Sequence, residues 1–219
     1  MKNYFITGTG TNVGKTFVTC KLLQYFNRQG KKTVALKPIA SDCKYVAQNL
    51  INDDAILLAN AASVKLDYSS VNPVCLQEPV SPDIAARLQG IDLRARNIIA
   101  KTKKLTVDYD YCFIEGAGGW RVPINATEYI SDVVIGLNIP VIVVVAVELG
   151  SINHALLTFQ AIENDGLVIA GWVANIKNKD YSDVYIQENI ESIKIHSKMP
   201  LLAIFERDKM IYNNLIIVA

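Results

Sequence analysis

The sequence predicts an α/β fold in which a mostly parallel sheet is flanked by helices on both faces. Strand-like and helix-like segments alternate along the chain, as expected when helices connect parallel strands. One predicted strand, 141–147, is apolar throughout and rich in valine, which is typical of a strand buried on both faces. The 219 residues are 51% hydrophobic, so we expect residues 1–219 to form a single domain with a substantial core.

The first strand and the first helix are the clearest elements. Residues 4–7 form a short apolar run, and Gly8 then begins a glycine-rich loop. The helix that we predict at 15–29 carries Val18, Leu22 and Phe26, whose spacing puts them on one face of an α-helix. A strand at the start of the chain would join a parallel sheet through this helix.

The remaining elements alternate in the same way. Short apolar runs predict strands at 33–38, 111–115, 141–147, 169–175 and 201–205. Between them we predict helices at 53–61, 82–89, 93–104, 131–137, 152–165 and 182–194. In an open sheet of this kind, ligands bind beyond the carboxyl ends of the strands. The polar residues that follow each strand are therefore the candidates for a functional site.

The loop after the first strand indicates a phosphate-binding P-loop, and with it a P-loop NTPase type of sheet. Backbone N–H groups and a helix N-terminus cradle phosphates, while the motif's lysine and hydroxyl residue serve the phosphates and Mg²⁺. Gly14, Lys15 and Thr16 supply these groups here. Five residues separate Gly8 from Gly14, whereas the standard motif has four between its two glycines. The alternative is an ordinary glycine-rich turn with a solvated lysine. The flanking strand and helix favour the nucleotide site.

Other strand ends carry charged residues that have two interpretations each. Glu115 follows an apolar strand, so it is a candidate Mg²⁺ ligand, with a helix-capping role as the alternative. Lys37 ends the second strand and is either a surface lysine or a charge that neutralises phosphate or carbamate. Asp53 and Asp54 open a helix, where capping is the favoured interpretation.

A further helix start, at Gly150 and Ser151, follows the valine-rich strand. Its free N–H groups suit an anionic substrate group. Simple capping by Ser151 explains the same residues equally well.

Composition excludes several other classes of function. A net charge of +1 argues against a nucleic-acid-binding protein. The four cysteines have no metal-site spacing, and the longest apolar run is too short to cross a membrane. The N-terminus has no basic and apolar leader, so we expect a cytoplasmic protein.

Five motifs, at 7–16, 37–41, 78–82, 115–120 and 150–154, together resemble the dethiobiotin synthetases of biotin biosynthesis. The resemblance extends from residue 1 to about residue 204. It implies a ligase that forms carbon–nitrogen bonds by closing a ureido ring on 7,8-diaminononanoate with CO₂ or bicarbonate and Mg²⁺-ATP. The path runs through a carbamate and a carbamic–phosphoric anhydride to dethiobiotin, ADP and phosphate. The resemblance also implies a homodimer with the substrate site at the subunit interface.

The resemblance carries roles onto individual residues. It implies that catalysis depends on Lys37, Lys15 and Thr11, and that Mg²⁺ is held by Thr16, Asp54 and Glu115. It implies substrate contacts from Thr11, Ser41, Gly118, Gly150, Ser151, Ile152, Asn153 and Tyr185. It implies nucleotide contacts from Asn12, Val13, Gly14, Lys15, Thr16, Phe17, Asp54, Glu115, Gly116, Ala117, Gly118, Asn175 and Ile176, with Asn175 meeting adenine.

The chain departs from the family pattern at two places. Asn12 stands where members of the family often carry an acidic residue, and the tail after Leu202 is short and divergent. The main rival is a MinD- or ParA-like ATPase switch with the same sheet. That class carries an additional lysine near the start of its loop, and residues 8–13 contain none.

Overall fold

The protein was analysed as a computed structural model, which describes residues 1–104, 108–177, 182–206 and 209–215. The strands are β1 Lys2–Gly8, β2 Thr33–Leu36, β3 Ile39–Ala40, β4 Lys44–Val46, β5 Asn49–Ile51, β6 Val74–Cys75, β7 Tyr111–Glu115, β8 Val141–Ala146, β9 Ile169–Ile176, β10 Leu201–Glu206 and β11 Lys209–Asn213. The helices are α1 Lys15–Arg28, α2 Asp53–Ala61, α3 Tyr68–Val71, α4 Pro82–Leu88, α5 Ala95–Lys103, α6 Ile130–Leu137, α7 Ser151–Asn164 and α8 Asp183–Ser197.

One sheet of seven strands organises the described residues, in the order β11-β10-β9-β8-β1-β7-β2. Every neighbouring pair in it is parallel except β10 and β11. Strand β8, near the centre, is buried along its whole length, as its continuous apolar sequence predicts. The predicted α/β class with a mostly parallel sheet is therefore confirmed.

Two hydrophobic clusters cover the two faces of this sheet. Successive side chains of a strand point to opposite faces, and along β1 Phe5 belongs to one cluster while Tyr4 and Ile6 belong to the other. Helices α1 and α2 pack in the cluster around Ile6, through residues such as Leu22 and Leu58. Helices α4 to α8 contribute to the cluster around Phe5, so helices cover both faces.

The predicted boundaries hold to within two residues, except that α8 ends at Ser197 rather than at 194. Two of the shifts have local causes. Strand β2 ends at Leu36 rather than at 38, because the Lys37 N–H donates to Val71 O at 2.8 Å and leaves the sheet. Helix α5 begins at Ala95 rather than at 93, since Arg94 has an extended backbone. No helix in the described part of the chain is both long and apolar enough to cross a membrane.

The sequence did not predict the small elements between β2 and α4 or the strand β11. Strands β3 and β6 form a two-stranded parallel sheet, and β4 and β5 form a hairpin. Each has only two or three residues, too few to display a period of two. The divergent tail begins within β10, and its residues 207–208 and 216–219 lie outside the described residues.

Gly171 allows β9 and β10 to approach closely. It has a φ of +151°, and a Cβ built on it lies 2.6 Å from both Leu202 Cγ and Pro200 O. We expect Gly171→Ala to lower the free energy of unfolding by about 3 kcal/mol, from overpacking and backbone strain together. Equilibrium unfolding in urea measures the loss.

Gly30→Ala is the matched control, because Gly30 also has a positive φ, +75°, but nothing lies within 4 Å of its built Cβ. Only the backbone strain remains there, which costs about 1 kcal/mol. Equal losses in the two variants would contradict the close approach at Gly171.

Candidate functional site

The loop between β1 and α1 has the conformation of a phosphate cradle. Gly14 caps α1 with φ 95° and ψ 31°, and Asn12 also has a positive φ. Only glycine fits at 14, since a Cβ there would overlap the amide nitrogen of Asn175. That amide donates to Val13 O at 2.8 Å, so the end of β9 holds the loop in place.

Lys15 lies in this cradle and is buried. Its ammonium donates to Gly10 O at 3.1 Å across the loop. Burial lowers the pKa of Lys15 to about 8, and the charge of Lys37 acts in the same direction while Glu115 opposes both. A buried cation with so little compensation favours an incoming anion, so the interpretation of Lys15 as a solvated surface charge is wrong.

Glu115 is the acidic centre of the site. It ends β7 with no solvent exposure, and its Oε1 accepts from Thr16 Oγ1 at 2.8 Å and from Lys37 Nζ at 2.7 Å. Its Oε2 accepts from Thr19 Oγ1 at 3.0 Å. The capping alternative is wrong, because the next helix begins only at Ile130.

Lys37 points inward from the end of β2 and is 4% exposed. Its Nζ lies 2.7 Å from Glu115 Oε1 and 3.3 Å from Asp54 Oδ2. Burial alone would lower the pKa of Lys37, but the two carboxylates outweigh it, so the pKa is raised and the side chain stays charged. The interpretation of Lys37 as a surface lysine is therefore wrong.

Helix α2 brings Asp54 to the same place. Asp53 and Asp54 do not cap α2, because Asn52 occupies the cap and its side chain accepts from Ala55 N at 3.1 Å. Both aspartates lie in the first turn, as expected of carboxylates at a helix N-terminus. Asp54 is free to face Lys37, while Asp53 pairs with the exposed Lys44 at 3.6 Å.

The oxygens of Thr16, Asp54 and Glu115 fit a magnesium ion. A hydroxyl and two carboxylates, with phosphate and water oxygens, are the ligands that Mg²⁺ prefers. Lys37 contacts Glu115 and Asp54, and Thr16 contacts Glu115, so the three side chains converge. Among the described residues no group of three or more His, Cys, Asp or Glu forms a metal site, so Mg²⁺ at these three side chains stays a prediction.

A cavity of about 960 Å³ opens over this charged centre. Thr11 and Gly118 lie beside each other in its lining, since a Cβ on Gly118 would lie 3.7 Å from Thr11 Oγ1. The Ser41 hydroxyl is buried but has no hydrogen-bond partner within the described ranges. A bound ligand would supply the missing hydrogen bond. The predicted residues that line the cavity are Thr11, Asn12, Gly14, Lys15, Thr16, Lys37, Ser41, Asp54, Ala117 and Gly118.

The other predicted nucleotide residues support the cradle from behind. Val13 and Ile176 are buried, and the Gly116 N–H donates to Ile6 O at 3.0 Å. Phe17 packs edge-on against Phe205, with ring centroids 5.5 Å apart. Asn175 contacts the loop rather than the open cavity, so its role toward adenine stays a prediction.

The remaining predicted substrate residues form a separate group that does not line this cavity. Gly150 caps α7, and Ser151 does not cap it; the Ser151 hydroxyl instead bonds Asn189 Oδ1 at 3.2 Å. The Asn189 amide donates to Tyr185 O at 2.7 Å, so the α7 start and Tyr185 belong to one surface. Ile152 and Asn153 follow on the same first turn.

Two residues that the sequence did not single out also belong to the site. Thr19 bonds Glu115, and its place on α1, three positions after Thr16, could have revealed it. Lys177 follows β9, lines the cavity and donates to Asn12 O. Nothing in its local sequence distinguishes it from other surface lysines.

Comparison with known proteins decides the family. A family model described as an AAA domain matches residues 2–214. The ATP-dependent dethiobiotin synthetase BioD of Pseudomonas paraeruginosa is 41% identical over 92% of this chain and 88% of its own length. That of Wigglesworthia glossinidia brevipalpis is 38% identical over 98% of this chain and 95% of its own. The chain belongs to the dethiobiotin synthetase family.

Solved structures of more distant proteins share only the fold with this dethiobiotin synthetase family member. MinD from Pyrococcus horikoshii, complexed with Mg-ADP, has a TM-score of 0.59 and 18% identity over 94% of this chain and 82% of its own. A likeness at such low identity supports the P-loop NTPase architecture and not a MinD-like switch. The predicted family and fold are both confirmed.

The pKa of Lys15 predicts how phosphate binding changes with pH. Below a pH of about 8 the ammonium is charged in the free protein, and a bound phosphate stabilises that form. Above pH 8 binding must also take up a proton, so ADP affinity should fall about tenfold from pH 7.5 to 9. Isothermal titration calorimetry with Mg²⁺ present measures this.

Lys15→Met is the control for that titration. It should bind ADP more weakly at pH 7.5 and show no decline toward pH 9, since the titrating group is gone. A wild-type affinity that stays level across this range would contradict the lowered pKa.

Proposed function

We propose that this protein is a dethiobiotin synthetase, which uses Mg²⁺-ATP to close a ureido ring on 7,8-diaminononanoate with CO₂ or bicarbonate. The observation that carries the proposal is the convergence of Lys15, Lys37 and Glu115 below one cavity, in a chain whose relatives are named for this ATP-dependent synthesis. The products are dethiobiotin, ADP and phosphate.

The first part of the reaction captures CO₂ and activates it. One amine of the substrate attacks CO₂ and loses a proton, which leaves a carbamate anion. A carbamate oxygen then attacks the γ-phosphorus, the bond to the bridging oxygen breaks, and ADP leaves. Mg²⁺, when bound by Thr16, Asp54 and Glu115, supplies positive charge beside the phosphates. Phosphoryl transfer depends mainly on such positioning and charge neutralisation.

The two buried lysines supply the rest of that charge. Lys15 spans the loop at Gly10 O, where the β- and γ-phosphates of a P-loop nucleotide lie. Lys37 is held by Glu115 and Asp54, and its ammonium is therefore positioned before substrate arrives. Both ammonium groups would stabilise the negative charge shared by carbamate and γ-phosphate in the transition state.

The second part of the reaction closes the ring. The other amine attacks the carbonyl carbon of the carbamic–phosphoric anhydride, its nitrogen loses a proton, and phosphate leaves with its bonding electrons. Thr11, Ser41 and Gly118 line the cavity where the diamine would lie. The unpartnered Ser41 hydroxyl is the group that we assign to the carbamate or its amine.

We also infer that the active form is a homodimer. Gly150, Ser151, Ile152, Asn153 and Tyr185 lie apart from the cavity of their own chain, and exposed apolar residues such as Leu149 and Val184 adjoin them. The free N–H groups of α7 would receive the substrate carboxylate of the neighbouring subunit. A cytoplasmic location and the adenine contact of Asn175 belong to the same proposal.

ATP turnover should depend on both small substrates. We expect phosphate release to need 7,8-diaminononanoate and bicarbonate together, with dethiobiotin formed in equal amount, because the carbamate is the nucleophile. A coupled phosphate assay and mass spectrometry of the product measure both. Rapid ATP hydrolysis without the diamine would refute the proposal.

The Lys37→Ala variant tests the role of the second lysine. It should lower kcat by about 100-fold or more with a smaller change in KM.

Mixing two inactive variants tests the shared site. One is Lys37→Ala, and the other is Ser151→Trp, which blocks the start of α7. If each site joins Lys37 of one subunit to the α7 start of the other, a re-equilibrated equal mixture should recover about a quarter of wild-type activity, since half of the dimers are mixed and hold one intact site.

The recovered activity should fall when a large excess of either variant is added. A mixture that stays inactive although light scattering detects dimers would exclude a site shared between subunits. An active monomer would exclude it as well.

A further inference from the structure

Two cysteines that have no part in the proposed reaction lie beside each other next to the cavity. Cys75 ends β6, and Ala40 of β3 lies opposite it. Leu76 N donates to Ala40 O at 2.8 Å, and Cys43 N donates to Leu76 O at 3.0 Å. These bonds place the backbone of Cys43 beside Leu76, the residue that follows Cys75.

The two thiols have unlike surroundings. Cys43 is 2% exposed, and its Sγ donates to Ala40 O at 3.4 Å. The pKa of Cys43 is raised, first by the neighbouring Cys75 thiol and then by burial. Cys75 is half-buried, and its Sγ donates to Asn72 Oδ1 at 2.9 Å. The neighbouring Cys43 thiol lowers the pKa of Cys75 to about 7, with help from Tyr68 and against burial. The Tyr68 hydroxyl lies 3.8 Å from Cys75 Sγ. Cys75 is thus the nucleophilic thiol of the two.

Cys75 is also the accessible one. It lines a second cavity, of about 970 Å³, together with Tyr68 and Asn72, so a small oxidant reaches its sulfur from solvent. We propose that Cys43 and Cys75 are a redox-sensitive pair that a hydroperoxide converts to a disulfide, and that this disulfide slows the reaction in the neighbouring cavity.

The chemistry needs only the hydroperoxide. The Cys75 thiolate attacks one peroxide oxygen, the O–O bond breaks, and a sulfenic acid forms as hydroxide or alkoxide leaves. The Cys43 sulfur then attacks the Cys75 sulfur, the S–OH bond breaks, and the Cys43 proton leaves with the hydroxyl group as water. Two thiols are oxidised, one peroxide is reduced, and a dithiol reductant reverses the step by exchange.

The segments of chain next to Cys43 and Cys75 connect the thiol pair to the reaction cavity. Ala40, Ser41 and Asp42 lead directly to Cys43 and line the reaction cavity, as do residues 79–82, which follow Cys75. A disulfide draws its sulfurs to about 2.05 Å, so both segments must shift. Because a displacement of about 1 Å can cost about 100-fold in rate, turnover should fall on oxidation; this consequence rests on the proposed function.

The test oxidises the reduced full-length protein with a small excess of hydrogen peroxide. Peptide mass spectrometry should find Cys43 linked to Cys75, and the intact mass should fall by about 2 Da, the two hydrogens lost on oxidation. We expect turnover to fall at least about tenfold and to return with dithiothreitol. Cys75→Ser should keep its turnover under the same treatment.

Two further variants make the outcome specific. Cys20→Ser is the matched control, because burial raises the pKa of that half-buried thiol to about 11, and the variant should respond as wild type does. Cys43→Ser should accumulate sulfenic and sulfinic acid at Cys75 without a disulfide. Sulfinic acid instead of a disulfide in wild type, or equal loss of turnover in Cys75→Ser, would overturn the pair.

The mass spectra report the disulfide independently of ATP turnover. A disulfide in a protein that makes no dethiobiotin would refute the proposed function and leave the thiol pair supported. A disulfide that forms without any change of turnover would overturn the coupling between the pair and the cavity.

Discussion

The buried carboxylate of Glu115 is the constraint on which the site depends. A charged group with no solvent exposure is stable only when nearby donors and cations compensate for its lost hydration. Lys37, Thr16 and Thr19 supply that compensation. Lys37 directly follows β2, and the two threonines lie in the first two turns of α1. The position of β7 between β1 and β2 therefore brings the phosphate loop, the second lysine and the acid to one point.

The two lysines of the site differ because their compensation differs. Lys37 has two carboxylates within 3.3 Å, so it keeps its charge despite burial. Among the residues that the structure describes, Lys15 has only a loop carbonyl as its hydrogen-bond partner, and burial lowers its pKa to about 8. The free protein thus holds a cation that it stabilises poorly, and an arriving phosphate supplies the missing negative charge. Binding energy comes from a group that destabilises the unliganded state.

Much of the fold could be predicted because its strands are strongly patterned. Strand β8 is apolar at every position, and α1 repeats its apolar residues at helical spacing. The strands β3 to β6 were not predicted, since two or three residues carry no periodic signal. Asn52 was missed as the cap of α2, although capping was expected there, because the aspartates beside it are equally good candidates by residue type.

By itself the sequence determined the order of the elements, the phosphate loop and the family resemblance, because these depend on local spacing and on residue identity. Only the tertiary structure decided which charges meet. Lys37, Asp54 and Glu115 are separated by 17 to 78 positions along the chain. From the sequence, each could equally be a surface or helix-capping residue with no role in the site. Lys37 and Glu115 pair because both are buried, and burial is a property of the packed sheet and not of any one segment. Asp54, whose side chain is 47% exposed, joins them through its ion pair with Lys37.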